Sequence, residues 1–172
     1  MELENIYTIT REIGIDMGHR IPLHQSKCKN IHGHRYKIFM TIQGKIVPDE
    51  EQTPESGMLM DFGFMKDEMM RYIDAIYDHA LCLSASDSLT DLLVSDGRAF
   101  DMERQLPRAY DTTWGTVVVI QKYPTAENLA EMWGQSLIKP VYEHTQGRCS
   151  LKSLTVYETP NCSATYERVF RV

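Results

Sequence analysis

Two stretches of this chain alternate apolar and polar residues with a period of two, and both run into histidines. Between residues 5 and 19, Tyr7, Ile9, Ile13, Ile15 and Met17 share one parity; between 32 and 46, Tyr36, Ile38, Met40 and Ile42 do the same. Such alternation predicts strands with one buried face. His19 ends the first stretch on the parity of Ile13, Ile15 and Met17, and His32-Gly33-His34 opens the second. Residues i and i+2 of a strand point to the same side, so His32 and His34 project together past a glycine that adds no bulk. If the two strands are antiparallel neighbours, His19 can lie opposite that pair. Three imidazoles with no fourth protein ligand are the pattern of a catalytic zinc site, which keeps one position open. Nitrogen ligands favour zinc over magnesium or calcium, without excluding iron, nickel or copper. The competing reading is that these are ordinary strand histidines. Against it, four of the six histidines fall within residues 19–34. The remaining one of these four, His24, sits in a loop with Pro22 and reads as a contact to substrate or to the ligating side chains rather than as a ligand.

The distribution of charge marks the same region. The 172-residue chain has a net charge of −6, which argues against nucleic acid or an anionic membrane surface as a partner. Yet Met17 to Pro48 holds six basic residues (Arg20, Lys27, Lys29, Arg35, Lys37 and Lys45) and no acidic one. A local cationic field in an acidic protein suits a small anionic ligand; a basic strand edge that discourages aggregation is the plainer alternative. No run of apolar residues reaches the roughly 18–20 needed to span a membrane. The acidic start of the chain lacks the apolar core of a secretory signal. Four unevenly spaced cysteines are no disulfide framework, so a cytoplasmic setting is expected.

The length suits one domain spanning residues 1–172. Residues 57–60 read as a short strand entering a helix that Asp61 caps, with Phe62, Met65, Met69, Tyr72, Ile73 and Ile76 at helical spacing. Residues 84–116 carry little pattern and are expected to form an extended loop or an insertion. A strand follows at 117–120. A second helix then opens at Pro124-Thr125, with Thr125 as cap and Glu127 in its first turn. Residues 151–158 and 164–170 read as two more strands. This order predicts an α+β fold, an antiparallel β-sheet with two helices packed on one face.

Further residues look chemical. Cys28, between Lys27 and Lys29, has polar neighbours on both sides, and flanking cations favour a usable thiolate. Cys82, inside Ala80-Leu81-Cys82-Leu83, reads as core. Asp78 directly precedes His79, so a carboxylate can bias an imidazole toward acid–base work. Glu158 shares the parity of Leu154 and Val156; a carboxylate ending a buried face needs partners, such as a guanidine-like ligand edge or a basic side chain.

These segments together resemble the 6-pyruvoyl-tetrahydropterin synthase and 6-carboxy-5,6,7,8-tetrahydropterin synthase (QueD-like) family. The motifs are Gly18-His19-Arg20, Cys28 with His32-Gly33-His34-Arg35-Tyr36, residues 57–62, Asp78-His79, residues 124–130 and Tyr157-Glu158-Thr159. The resemblance implies a T-fold assembled as an oligomeric barrel of trimers, usually a homohexamer, with active sites between subunits. It implies Zn2+ on His19, His32 and His34, Cys28 as general base, and Asp78 and His79 completing a proton relay. Glu158 would anchor the pterin edge, with Thr125 and Glu127 near that pocket. Lys27, His24, Arg20 and Arg35 are candidates for a triphosphate. The implied substrate is 7,8-dihydroneopterin triphosphate. The spacing Cys28-x-x-x-His32 resembles the branch that makes 6-carboxytetrahydropterin, acetaldehyde and triphosphate for queuosine and other 7-deazaguanines. The alternatives are triphosphate elimination to the 6-pyruvoyl product, or a non-catalytic zinc-dependent pterin-binding module.

Overall fold

The computed structural model describes residues 5–95, 97–100 and 107–168, with the side chains of 98–100 left aside. The two alternating stretches are long strands, β1 (Tyr7–His19) and β2 (His32–Gly44), paired antiparallel along their whole length. Ile13, Ile15 and Met17 of β1 face the core with Tyr36, Ile38, Met40 and Ile42 of β2, as their parity requires. Asp61 caps α1 (Phe62–Met69), its side chain accepting from the Gly63 N–H. The helix continues through a π-turn, Met70–Asp74, into the short α2 (Ala75–Tyr77).

Beyond it come β3 (Leu81–Ser84), α3 (Ser88–Val94), β4 (Arg98–Phe100), β5 (Arg108–Thr112) and β6 (Gly115–Ile120). Thr125 caps the long α4 (Ala126–His144), accepting from the Asn128 N–H, and Glu127 lies in the first turn. The hairpin β7 (Cys149–Thr159) and β8 (Cys162–Glu167) completes one eight-stranded sheet, ordered β4-β5-β6-β3-β1-β2-β7-β8. α4 lies across β7 and β8, where Trp133, Leu137 and Val141 join Leu151, Leu154 and Val156 in the main core.

Three expectations are corrected. The sheet is mixed rather than antiparallel, because β3 runs parallel to both β1 and β6. Its four residues are too few to show a period, and helix α1–α2 supplies the crossover that parallel pairing needs. Helices do not occupy one face only: Cys82 and Val118 point into the main core, while Leu83, Val117 and Val119 point the other way and pack with Leu89, Leu93 and Val94 of α3. The segment 84–116, expected as an extended loop or an insertion, contains α3, β4 and β5 where described. Residues 57–60 form no strand; a single bridge joins Val47 to Ser56 there. The last strand ends at Glu167, and residues 169–170 of the expected strand lie outside the described residues.

One ion pair ties α3 to the end of β1. Arg20 donates from Nε and from a terminal nitrogen to the two oxygens of Asp87, at 2.7 and 2.6 Å. Asp87 also caps α3 through the Leu89 N–H at 2.9 Å, and its side chain is fully buried. The Arg20 hydrogen bond, with burial opposing it, holds the Asp87 carboxyl below its ordinary value. The lowered value gives the pair its sign: its stabilisation is complete above the unfolded-state value of about 3.9 and lost as pH falls through the folded one. Removing one partner of a buried pair costs about 3–5 kcal/mol. Because the Arg20 side chain keeps 22% exposure, about 3 kcal/mol is expected for Asp87→Asn, of order 10 °C in Tm. Thermal unfolding of both chains from pH 7 to 3 should show this gap at neutral pH narrowing in acid; a gap independent of pH would remove the ion pair as its cause.

Candidate functional site

The β1–β2 register sets His19 opposite His32 and Met17 opposite His34, so all three imidazoles project from the core face of adjacent strands. A Cβ on Gly33 would come within 3.2 Å of the Met17 carbonyl oxygen, so the residue between His32 and His34 lies tight against β1. The ring centroids lie 4.5 Å (His19–His32), 5.2 Å (His19–His34) and 5.0 Å (His32–His34) apart. One nitrogen from each ring lies within 4.8 Å of the other two, close enough to converge on one ion. Among the described residues this is the one such cluster.

The outer partners fit a metal. His19 Nδ1 lies 2.7 Å from the Pro124 carbonyl oxygen, and His32 Nδ1 lies 2.8 Å from that of Asn30. A carbonyl only accepts, so each Nδ1 carries the proton and each Nε2 keeps its lone pair, the arrangement of metal-bound histidines. The Nε2 atoms of His19 and His34 are buried and have no hydrogen-bond partner, which a bound cation would remedy. Burial lowers the pKa of His19, against the opposing Pro124 carbonyl and Glu158 carboxylate, and lowers that of His34 as well. Burial therefore favours the neutral form of both rings, the form a metal ligand takes.

His19, at 1% exposure, also lines a cavity of about 310 Å³ with His24, Cys28, Thr125, Glu127, Glu158 and Cys162. Pro124, whose carbonyl orients His19, immediately precedes the cap of α4, so that helix start places Thr125 and Glu127 on the rim. Cys28 stands in a single 3₁₀ turn, Lys27–Lys29, half-buried. Lys27 is exposed on that turn. Glu158 keeps the parity of buried Leu154 and Val156 but stands where the β7–β8 register shifts, between Tyr157 and Thr159. Such a bulge re-aims a side chain. Its Oε1 lies 3.4 Å from His19 Nε2 and 3.8 Å from His34 Nε2.

Asp78 and His79 lie elsewhere. Asp78 accepts from the Asp16 N–H and from His79 Nδ1, each at 2.8 Å. Burial opposes ionisation, but these two donors outweigh it and hold Asp78 below the ordinary carboxylate value. His79 has a left-handed backbone, φ 60°, and its side chain is 77% exposed. It lines an open depression of about 450 Å³ with Asp16, Gly18, Gly33, His34, Arg35 and Ala80. Cys28 and His79 thus open onto different cavities of one chain, with His19 lining the first and His34 the second. Of the phosphate candidates, His24 lines the cavity with Cys28, Lys27 stands exposed on the turn that carries Cys28, Arg20 pairs with buried Asp87, and Arg35 pairs with Asp16 beside the second depression.

Some contributors left no pattern in the sequence. Ser26 donates its N–H to His24 Nδ1 at 3.1 Å and places its hydroxyl 2.8 Å from that atom and 3.8 Å from Cys28 Sγ. Tyr36 packs edge-on against His19 and His34; burial first, and the Glu158 carboxylate second, keep its phenol neutral. Its core parity was legible, its contact with the histidines was not. Cys82 is buried and its thiol is pushed up by burial, as a core cysteine should be.

A mixed sheet packed against two long helical segments carries a trihistidine cluster that could hold a metal ion, beside an acid-bearing cavity of small-molecule size. The profile of the family described as 6-pyruvoyl tetrahydropterin synthase matches residues 8–169. A 6-carboxy-5,6,7,8-tetrahydropterin synthase from Rickettsia conorii is 33% identical over 153 residues, covering 89% of this chain and 94% of its own. One of the same name from Haemophilus influenzae is 25% identical over 162 residues, covering 94% and 99%. Among solved structures, an uncharacterized protein from Wolinella succinogenes superimposes with a TM-score of 0.77 at 19% identity, covering 96% of this chain and all of its own. The 6-pyruvoyl tetrahydropterin synthase of Caenorhabditis elegans does so with a TM-score of 0.61 at 23% identity, covering 98% and 100%. The chain belongs to the 6-pyruvoyl tetrahydropterin synthase family, whose enzymes are lyases acting on pterins. Among its described residues no helix is long and apolar enough to cross a membrane.

Proposed function

We propose that this chain is a zinc-dependent 6-carboxy-5,6,7,8-tetrahydropterin synthase acting on 7,8-dihydroneopterin triphosphate. The observation that carries this reading is the cavity in which His19, Cys28, Thr125, Glu127 and Glu158 meet. Its volume of about 310 Å³ is at the small end of the roughly 300–1,000 Å³ of small-molecule sites. It suits a bicyclic pterin, with a triphosphate extending outward past His24 and Lys27. The carboxy branch is favoured over the pyruvoyl one because several relatives above 30% identity carry that name.

Glu158 accepts two N–H bonds from the amino-pyrimidine edge, a paired geometry that fixes the ring's orientation. Zinc held by His19, His32 and His34 would act as a Lewis acid toward side-chain oxygens of the substrate. Cys28 removes a side-chain proton as general base. Asp78 holds His79 in position to return protons, and elimination releases triphosphate. Side-chain cleavage with uptake of one water then gives acetaldehyde and the 6-carboxy product. Since Cys28 and His79 face separate cavities of one chain, the relay is completed between subunits. This favours a trimer-based oligomer, a hexameric T-fold barrel, in the cytoplasm, serving synthesis of queuosine or another 7-deazaguanine.

Incubation of the purified protein with 7,8-dihydroneopterin triphosphate and zinc, with products identified by mass, tests this. Acetaldehyde together with 6-carboxytetrahydropterin is expected. A 6-pyruvoyl product would reassign the branch, and no consumption would leave a pterin-binding module.

A further inference from the structure

Glu158 stands in an electrostatic position that pterin anchoring does not explain. Its Oε1 lies 3.4 Å from His19 Nε2 and 3.8 Å from His34 Nε2, and both nitrogens are buried without a hydrogen-bond partner. The Pro124 carbonyl fixes the His19 proton on Nδ1, so its Nε2 presents a lone pair. A carboxylate oxygen facing an imidazole lone pair sets two acceptors against each other with no hydrogen between them. The carboxylate is also mostly withdrawn from water, its side chain 27% exposed. A cation between these atoms satisfies all of them at once. The register shift at Glu158 places it there: the strand bends where the carboxylate is needed and leaves Leu154 and Val156 in the core.

We propose that Glu158 is a fourth, displaceable ligand of the ion held by His19, His32 and His34. With no pterin bound, the carboxylate would join the three imidazoles around the ion and close the site to adventitious ligands. The second half of the inference rests on the function proposed above. The pterin edge offers Glu158 two N–H donors, so arrival of the ring draws the carboxylate away from the ion. One residue thereby couples substrate recognition to the opening of the coordination position, and the reactive corner is exposed only when a pterin is there to use it.

The test compares wild type, Glu158→Gln, Glu158→Ala and His32→Ala, first by zinc affinity in competition with a chromophoric chelator. Both Glu158 variants should bind zinc about tenfold or more weakly than wild type, with unchanged circular dichroism. The cobalt(II)-substituted wild type should differ from Glu158→Gln in its visible absorption. Added neopterin, which has no triphosphate to lose, should move the wild-type spectrum toward that of the variant. Equal zinc affinities and superimposable cobalt spectra in wild type and both Glu158 variants would overturn the fourth-ligand role. If wild type bound no more metal than His32→Ala, the metal site itself would fall. A normal affinity difference with a neopterin-insensitive spectrum would overturn the displacement half alone.

Discussion

A Cys28→Ala chain should bind as much zinc as wild type yet turn over dihydroneopterin triphosphate about 10²–10⁴-fold more slowly, the range expected for a lost general base. The two effects separate because Cys28 is outside the histidine cluster and shares only the cavity with it. The thiol stands in a short 3₁₀ turn held by backbone contacts, including a 2.8 Å bond from the Ile21 N–H to the Cys28 carbonyl oxygen, which alanine keeps. The side chain is half-buried, so its removal leaves little void and folding should be unaffected. Metal content by atomic emission and initial rates by product mass make the check. Turnover within a few-fold of wild type would remove Cys28 as the base and leave its place in the cavity unexplained.

His32→Ala is expected to remove both metal and activity. His32 is one of the three imidazole ligands, and its loss should weaken zinc binding by more than the 10–100-fold typical of losing an outer partner. His32 suits the test better than His19. His19 is 1% exposed and packs beside Cys82 across the β1–β3 pairing, so its truncation would also disturb the core. His32 is half-buried, and its ring is bonded to the local Asn30 carbonyl. The variant should melt near the wild-type apoprotein temperature while failing to gain the stabilisation that added zinc gives a chain that binds it. A zinc-induced rise in Tm equal to wild type would sink the trihistidine centre.

The parity of Ile13, Ile15, Met17 and His19, and of His32, His34 and Tyr36, was legible because a strand has only two faces. Once the apolar side chains chose the core, the histidines were committed to it. The caps at Asp61 and Thr125 were legible for a similar reason, since a short oxygen-bearing side chain ahead of an apolar helical period has few other uses. β3 was not legible: four residues buried on both faces show no alternation, so parallel pairing left no mark. Nor was the third helix, whose short apolar stripe of Leu89, Leu93 and Val94 covers a small second core. The partners of Arg20 and Arg35, two of the triphosphate candidates the resemblance implied, were not legible, because sequence reveals charge but not what it meets: Arg20 pairs with buried Asp87 and Arg35 with Asp16.

The sequence by itself determined which side chains share a face: three histidines together, Glu158 with Leu154 and Val156, Asp78 beside His79. Local geometry alone enforces those relations, through the period of a strand or the adjacency of neighbours. Only the tertiary structure decided what those faces meet. It placed the start of α4 so that the Pro124 carbonyl orients His19, and shifted β7 so that Glu158 points at two imidazole nitrogens. It also turned His79 into a different cavity from Cys28. Each of these depends on packing between elements distant in the chain, where close-packed side chains rather than backbone periodicity fix the position of an atom.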